Sequence, residues 1–199
     1  MTFQPTLRAA SAVTVSGLAT LCLVLPAASA LAAPLKIDNA KSTVTIVFKQ
    51  LNVPVEAKFK KFNAQIDFDA AKPETAKAVV DMDIASFDLG DPEYNQEVMK
   101  KDWFNTARFP KANFTAGTIK SAGPGKFNVT GKLSIKGKSS DVNFALSVKK
   151  DGAGAGATQV FDGVLPIKRL TYNIGEGDWK DTDTVADEVL IKFHVVTTP

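Results

Sequence analysis

Hydrophobic residues recur at every second position in most of the chain beyond Lys41. In the first of these runs Val44, Ile46 and Phe48 fall on one face, while threonine and lysine occupy most of the other face. A period of two is the period of a β-strand, whose successive side chains point to opposite faces of the sheet. Gly, Pro, Asn and Asp separate such runs, as they do between antiparallel strands. The pattern therefore predicts about eight strands.

The later runs repeat this alternation, and their apolar residues are predicted to face one interior. These residues are Ala64, Ile66, Phe68, Val80, Met82, Ile84, Phe114, Ala116, Phe127, Val129, Leu133, Ile135, Val142, Phe144, Leu146 and Val148. Further strands are predicted over about 53–62, 159–167 and 189–196. Residues 136–140 are predicted to form the turn of a hairpin.

One short helix is predicted after Asp91. The side chain of Asp91 can cap the first free N–H groups, and Pro92 suits the first helical turn. Glu97 and Lys101 have the i,i+4 spacing of a helical ion pair. We expect this helix to be the exception in an otherwise β chain.

Antiparallel strands with one apolar face must close into a two-sheet sandwich or a barrel, and the alternation alone does not decide between them. A barrel of about eight strands is the size at which side chains either fill the interior or leave room for one small ligand. The residues predicted to face inward include large Phe and small Ala and Gly. This mixture is compatible with a filled interior and with a ligand cavity. Because packed interiors are the rule, composition favours a filled core.

The composition excludes several classes of function. The chain has 199 residues, with 24 basic against 21 acidic side chains and a formal charge of +3. A near-neutral chain without a long basic run is a poor partner for nucleic acid, which is bound through its phosphates. One Cys and one His are too few for a zinc site or a thiol–imidazole pair. The 13 Phe residues beside two Trp and two Tyr make the aromatic supply almost wholly apolar.

Residues 1–32 have the pattern of a secretory signal peptide. A short positive region is followed by an apolar run and then by small residues, which allow cleavage after Ala30 or, as we favour, after Ala32. An uncleaved membrane anchor is the alternative, although the run is short for a membrane span. Cys22 lies inside the run and not at the position of a lipidated cysteine. The pattern predicts a periplasmic domain formed by residues 33–199.

No catalytic or metal-binding constellation stands out. Four aspartates, which alternate with apolar residues and are expected on outward faces, are Asp67, Asp69, Asp81 and Asp83. The glycine-rich segment 151–157 joins two predicted strands and opens no helix, so we predict a hairpin loop there and no phosphate site. His194 lies on the polar side of its strand and is predicted to be a surface residue.

Bulky apolar residues also cluster outside the predicted strands. They are Phe87, Trp103, Phe104, Phe109 and Pro110. Such residues either plug one end of the fold or line a hydrophobic mouth, and the sequence leaves both roles open.

Several segments occur in a characteristic order between about Leu35 and Val196. They are Val44 to Phe48, Phe59-Lys60-Lys61-Phe62, Ile66-Asp67-Phe68-Asp69, Ala85-Ser86 with Gly90, Asp102-Trp103-Phe104, Phe109-Pro110 with Ala112-Asn113-Phe114, Gly131 to Gly137, and Arg169 with Tyr172 and Ile174-Gly175. In order and spacing this set resembles the YceI-like family of secreted polyisoprenoid-binding proteins. The resemblance implies an all-β fold, an eight-stranded antiparallel lipocalin-like barrel with one short helix, whose apolar lumen holds an isoprenoid chain without catalysis.

The resemblance and the alternation together imply which residues contact the ligand. They are Val44, Ile46, Phe48, Phe59, Phe62, Ile66, Phe68, Met82, Ile84, Phe87, Trp103, Phe104, Phe114, Leu133, Ile135, Phe144, Leu146 and Arg169. Arg169 is the first candidate to contact a polar headgroup, and Lys58 is the second. An equally open alternative is that Arg169 has a structural role and stabilises its own loop. Asn95 and Leu89 stand where the family usually has Asp and Thr.

Three functional hypotheses follow from the resemblance. The first is a noncatalytic periplasmic carrier of an isoprenoid lipid, either a polyprenyl chain or an isoprenoid quinone. The second is an accessory module that presents quinone to a membrane b-type cytochrome, and the third is an enzyme acting on isoprenoid lipids. The expected partners are the lipid, a transiently contacted membrane or cytochrome, and a second copy in a homodimer. We expect no nucleic acid, no metal and no cofactor other than the bound lipid or quinone.

Overall fold

The computed structural model describes Met1 and residues 35–152 and 157–198. The predicted signal peptide, Cys22 and most of the glycine-rich segment after Asp151 lie outside these residues. Within them the chain is mostly β-strand, with one α-helix and short 3₁₀ turns.

The strands are short to medium in length and follow one another with few interruptions. They are β1 Lys36–Ile37, β2 Thr43–Gln50, β3 Val53–Phe59, β4 Phe62–Asp67, β5 Lys77–Asp83, β6 Phe87–Asp88, β7 Lys111–Gly123, β8 Lys126–Ile135, β9 Lys138–Asp151, β10 Thr158–Lys168 and β11 Val185–Thr198. The helix α1 covers Pro92–Val98, and 3₁₀ turns cover Pro73–Thr75, Ile84–Ser86, Arg169–Tyr172 and Gly177–Lys180.

These strands form one antiparallel sheet in the order β4-β5-β7-β8-β9-β10-β11-β2-β3-β6, with β1 beside β11. The last strand pairs with an early one, so the sheet curls back on itself, and residues of β4 and β5 line the same interior as residues of β2 and β3. The predicted fold class, an all-β antiparallel barrel-like sheet with one short helix, is confirmed. The described residues form eleven strands where about eight were predicted, and two of the eleven, β1 and β6, have only two residues each, too few to show any alternation.

The hairpin between β8 and β9 is tighter than expected. The prediction placed its turn at residues 136–140, but only Lys136 and Gly137 separate the two strands. Both have positive φ, 48° and 73°, as in the two-residue turns whose twist matches that of a hairpin. Glycine at the second position allows the strands to continue directly to the turn, so Ser139 and Ser140 lie in β9.

The helix begins as predicted and ends earlier than its predicted ion pair requires. Asp91 Oδ1 accepts hydrogen bonds from the N–H groups of Glu93 and Tyr94, at 2.8 and 3.2 Å. The predicted Glu97–Lys101 pair is wrong, because α1 ends at Val98 and the i,i+4 geometry is lost there. Glu97 pairs with Lys100 instead.

Two clusters of buried apolar residues lie inside the curled sheet. One contains Ile84, Trp103 and Tyr172, and the other contains Phe68, Phe127 and Phe161. We call the first the tryptophan end and the second the phenylalanine end. In the second cluster Phe68 meets Phe127 and Phe161 nearly edge to face, with ring centroids 5.1 and 5.4 Å apart, a favourable aromatic geometry.

The polar faces of the strands also lie as predicted. Asp81 accepts a hydrogen bond from Asn113 Nδ2 at 2.8 Å, and Asp83 caps the 3₁₀ turn that follows β5. His194 Nδ1 lies 2.6 Å from Asp162 Oδ1, with the histidine side chain 46% exposed. His194 is therefore a surface residue whose ring lies beside a carboxylate, and its place on the polar face predicted this exposure.

Candidate functional site

The interior of the sheet contains a cavity of about 520 Å³. Its walls come from nearly every strand of the sheet, from α1 and from the 3₁₀ turn Gly177–Lys180. The volume lies within the range of small-molecule binding pockets, and apolar side chains make up almost the whole lining. Composition favoured a filled core, but the described residues leave the centre of the barrel open.

Every residue of the predicted ligand-binding set lines this cavity. Other lining residues were not proposed for the site: Ile119, Val129, Phe161, Leu165, Ile167, Ile174, Trp179, Val185, Val189, Ile191, Phe193 and Val195. The period-two alternation of β10 and β11 could have identified most of these. Trp179 could not be identified in that way, because it lies in a 3₁₀ turn without such a period. Contact of the predicted set with a ligand stays a prediction.

Partial burial of inward-facing aromatic rings shows that the middle of the barrel is unfilled. Phe114, Phe144 and Phe193 are only partly buried although they point into the barrel, whereas Phe127 and Phe161 at the phenylalanine end are 3% and 4% exposed. In a packed core all of these rings would lose their exposure. The apolar surface that remains accessible at the middle is the surface that a ligand would cover.

Two strand glycines make room for these rings. A Cβ on Gly163 of β10 would lie 2.2 Å from the ring of Phe193, and a Cβ on Gly131 of β8 would lie 2.6 Å from the ring of Phe114. Both rings therefore lie directly over the backbone of the opposing strand. A larger residue at either glycine would push its ring toward the cavity.

Arg169 lies at the tryptophan end, where it is 2% exposed and uses all its N–H donors on backbone carbonyls. Nε donates to Ala186, Nη1 to Ile174 and Gly175, and Nη2 to Trp179 and Val185, over distances of 2.7 to 3.2 Å. Burial lowers the pKa of the guanidinium, and the charge of Asp187 opposes that shift. The sequence left open whether Arg169 stabilises its own loop or contacts a headgroup, and these hydrogen bonds give it the stabilising role. A headgroup contact by Arg169 stays a prediction.

A second buried cation holds the same loop. Lys136 has a side chain that is 6% exposed, and its Nζ donates to the carbonyl of Asn173 at 2.6 Å and to Glu176 Oε2 at 2.9 Å. The hydrogen bond from Lys136 is the main reason why the pKa of Glu176 is lowered. The N–H groups of Gly175 and Glu176 both donate to the carbonyl of Asp102 at 2.8 Å. Hydrogen bonds thus connect the loop that follows Tyr172 to the β8–β9 turn, which contains Lys136, and to the loop that contains Asp102.

The two tryptophans of the chain meet beside this loop. The rings of Trp103 and Trp179 have centroids 5.2 Å apart, and the guanidinium carbon of Arg169 lies 6.0 Å from the centroid of Trp103. Trp103 is 9% exposed, and its Nε1 has no hydrogen-bond partner among the described residues. An unpaired buried donor of this kind costs about 1–3 kcal/mol.

The bulky apolar residues predicted outside the strands combine the two roles that the sequence left open, although the prediction was wrong for Phe87, which lies in the short strand β6. Phe87, Trp103 and Phe104 line the cavity, and Trp103 also belongs to the buried cluster at its end. Phe109 does not line the cavity, since its ring packs against Gly137 in the β8–β9 turn. The first three residues close one end of the barrel and form its wall.

Polar residues reach the cavity from α1 and the two residues before it, from the end of β2, from Lys77 on β5 and from Asn113 on β7. Gly90, Asp91, Tyr94 and Glu97 form what we call the helix rim, and Gln50 lies in the same lining. Lys58, the second candidate for a headgroup contact, is not among the lining residues: it is exposed, because it alternates with the inward-facing neighbours on β3.

A network of side chains holds the helix rim in place. Asn95 Oδ1 accepts from the N–H of Leu89 at 2.7 Å, while its Nδ2 donates to Asp88 Oδ1 at 2.8 Å. Asp88 also pairs with Lys60. The hydrogen bond from Lys60, followed by those from Asn95 and Gly90, lowers the pKa of Asp88 to about 2. An amide serves at position 95 because it both accepts and donates.

The described residues contain no cluster of three or more His, Cys, Asp or Glu side chains that could bind a metal ion. None of the helices in that part of the chain is long and apolar enough to span a membrane.

Comparison with known proteins identifies the family of this chain. A sequence model of the YceI-like domain matches residues 35–197. The chain belongs to the YceI-like domain family. A UPF0312 protein of Azotobacter vinelandii is 30% identical over 181 residues, which span 88% of this chain and 92% of that protein.

Several solved structures have the same fold. Burkholderia cenocepacia BcnA is 54% identical with a TM-score of 0.78, and the match covers 82% of this chain and all of BcnA. The Campylobacter jejuni YceI protein is 25% identical with a TM-score of 0.67, covering 73% of this chain and 85% of that chain. A polyisoprenoid binding domain from Saccharophagus degradans is similar in fold alone, with 17% identity, a TM-score of 0.62 and coverage of 81% and 96%.

Proposed function

We propose that this protein is a noncatalytic carrier that binds the chain of an isoprenoid lipid, a polyprenyl chain or an isoprenoid quinone, inside its barrel. The single observation that carries the proposal is the apolar cavity of about 520 Å³, which runs between the tryptophan end and the phenylalanine end. The polyisoprenoid binding described for the Saccharophagus degradans domain supports the same ligand class.

The physical basis of binding is the transfer of the lipid tail out of water. Each methylene that enters the cavity contributes about 0.8 kcal/mol, from which the loss of translational freedom and of chain flexibility must be subtracted. The walls contain few polar groups that would need to be desolvated. The walls therefore favour a long apolar tail over a polar solute.

The N-terminal pattern supports a periplasmic location for this carrier, since residues 1–32 resemble a cleaved signal peptide. An insoluble lipid needs a shielded carrier in that aqueous compartment. The proposal assigns the cavity no catalytic step, because its lining lacks a nucleophile placed beside a base.

Filling the cavity with a side chain tests the proposal. Ala116 on β7 lines the cavity opposite Gly131, whereas Ala145 on β9 is exposed on the outer face. Ala116→Trp should abolish uptake of a prenylated benzoquinone in a binding titration, and the matched control Ala145→Trp should leave uptake unchanged. Thermal unfolding of both variants checks that they fold. Equal uptake by Ala116→Trp and Ala145→Trp would contradict binding inside the barrel.

A further inference from the structure

The turn between β2 and β3 contains an exposed leucine in a backbone conformation that does not suit it. Only Leu51 and Asn52 separate the two strands, and their φ angles are 49° and 64°. Two-residue hairpin turns need positive φ, which asparagine and glycine adopt readily and leucine rarely does. Leu51 is also 68% exposed, so its side chain gains little from packing within the chain. A leucine that is both strained and exposed offers the fold no evident benefit.

Two more exposed apolar side chains lie at the same end of the barrel. Val53, at the start of β3, is 62% exposed, and Tyr94 on α1 is 60% exposed. The strand β6 pairs antiparallel with β3, so the chain that continues from Asp88 into α1 leads toward the β2–β3 turn. We call Leu51, Val53 and Tyr94 the apolar tip. Within residues 35–152 and 157–198, Val164 is the one other large apolar residue that is exposed.

The cavity is accessible from this end. Tyr94 and Gly90 line the cavity and are exposed, and Gln50, which directly precedes Leu51, also lines it. Lys77 is an exposed lining residue at the phenylalanine end, so accessibility alone does not distinguish the two ends. The tryptophan end differs because large apolar side chains are exposed beside its opening.

The charges around the apolar tip favour a neutral partner over an anionic one. The helix that carries Tyr94 has the acidic residues Asp91, Glu93 and Glu97 at its cap and in its turns, and no basic residue lies between Pro92 and Val98. A neutral bilayer fits such a tip, because aliphatic side chains enter the acyl boundary and a tyrosine ring lies at the level of the headgroups. A water-insoluble lipid must also be loaded from a membrane.

We infer that the apolar tip docks on the neutral surface of a lipid bilayer, with Leu51 and Val53 in the acyl boundary, and that the lipid enters the cavity beside α1. The inference rests on the proposed carrier function and adds its partner, the membrane that supplies the lipid. It also gives a reason for leucine at a turn position that asparagine would fit better.

Two substitutions remove apolar side chains of the tip without changing the cavity lining, to which neither residue belongs. Leu51→Asn places a favoured residue in the turn, so its melting temperature should equal or exceed that of wild type. Val53→Thr keeps the β-branched shape of the side chain. The matched control is Val164→Thr, which makes the same change at an exposed valine of β10 that does not line the cavity.

Sedimentation with phosphatidylcholine vesicles measures the docking. We expect Leu51→Asn to weaken vesicle binding about tenfold and Val53→Thr about threefold, as for partial loss of a buried apolar side chain, and Val164→Thr to bind as wild type does. Transfer of a prenylated benzoquinone from these vesicles to the protein should slow in the same order. Uptake of a short-chain prenylated benzoquinone from solution should stay unchanged. Phosphatidylglycerol added to the vesicles should not strengthen binding.

The other outcomes separate the docking from the carrier function. Wild-type protein that takes up the quinone from solution but does not bind vesicles would overturn the docking and leave the carrier function standing. Vesicle binding that survives both substitutions, or that grows with phosphatidylglycerol, would also overturn it. A dimer that both substitutions convert to monomers, with vesicle binding intact, would assign the apolar tip to a second copy of the chain. Vesicle binding that depends on Leu51, without quinone uptake by either route, would overturn the carrier function alone.

Discussion

Nη1 of Arg169 lies so close to Gly175 that a Cβ on this glycine would be 2.2 Å from that nitrogen. The contact arises because Nη1 donates to the carbonyls of Ile174 and Gly175, which wraps the loop around the guanidinium. Gly175 also has a φ of +79°, which L side chains rarely adopt. The position is thus restricted to glycine by backbone conformation and by space.

Gly175→Ala is therefore expected to destabilise the fold strongly. The methyl group would displace a buried charge from its carbonyls, a change that costs about 3–5 kcal/mol. Gly90→Ala is the matched control, since Gly90 has a similar φ of +84° but nothing within 4 Å of its Cβ position, and it should cost only about 1–2 kcal/mol. Chemical denaturation measures both values. Equal losses in the two variants would show that the guanidinium contact adds nothing.

The extent to which these features could be predicted depends on the kind of pattern that each one leaves in the sequence. Alternation identified the inward face of β2 and of β7 to β9, because a strand has a fixed period of two. The role of Arg169 has no such signature, since its carbonyl partners lie in a loop and in β11 and come together only in the fold. The unpaired Nε1 of Trp103 likewise follows from packing and not from residue spacing.

Gly163→Ala is expected to weaken lipid binding through Phe193. Its new Cβ would lie 2.2 Å from the Phe193 ring, which must move into the cavity that it lines. We expect the affinity for a prenylated benzoquinone to fall by about tenfold or more, which corresponds to about 1.4 kcal/mol. A binding titration measures the change.

Gly117→Ala is the control for that substitution. Gly117 also lies in a strand and does not line the cavity, and the atom nearest its Cβ position is the Thr130 carbonyl oxygen at 3.4 Å. The variant should bind the lipid as wild type does. A similar loss of affinity in both variants would mean that strand distortion, and not the movement of Phe193, is responsible.

The helix rim should become less stable in acid because of Asp88. Its pKa is lowered from 3.8 to about 2, chiefly by the hydrogen bond from Lys60 and then by that from Asn95. A carboxyl with a lowered pKa in the fold stabilises the fold above its unfolded pKa, and that contribution is lost as the pH falls from about 4 to about 2.

Asp88→Asn tests this dependence. The variant should melt below wild type at about pH 6, and the difference should shrink as the pH falls from about 4 to about 2, where Asp88 is half protonated in the fold. Asn95→Asp should shift the acid loss to higher pH, because it places a second carboxylate beside Asp88 Oδ1, which Asn95 Nδ2 now approaches to 2.8 Å. A melting difference between wild type and Asp88→Asn that stays constant across this range would contradict the assignment.

The central claim is that the barrel encloses an isoprenoid lipid. Native mass spectrometry of the protein, purified without detergent and followed by organic extraction, tests it most directly. The account predicts a mass above that of the polypeptide and a prenyl lipid in the extract, both of which the Ala116→Trp variant should lack. Wild-type protein that carries no lipid and takes up neither a prenylated quinone nor a polyprenol would contradict it.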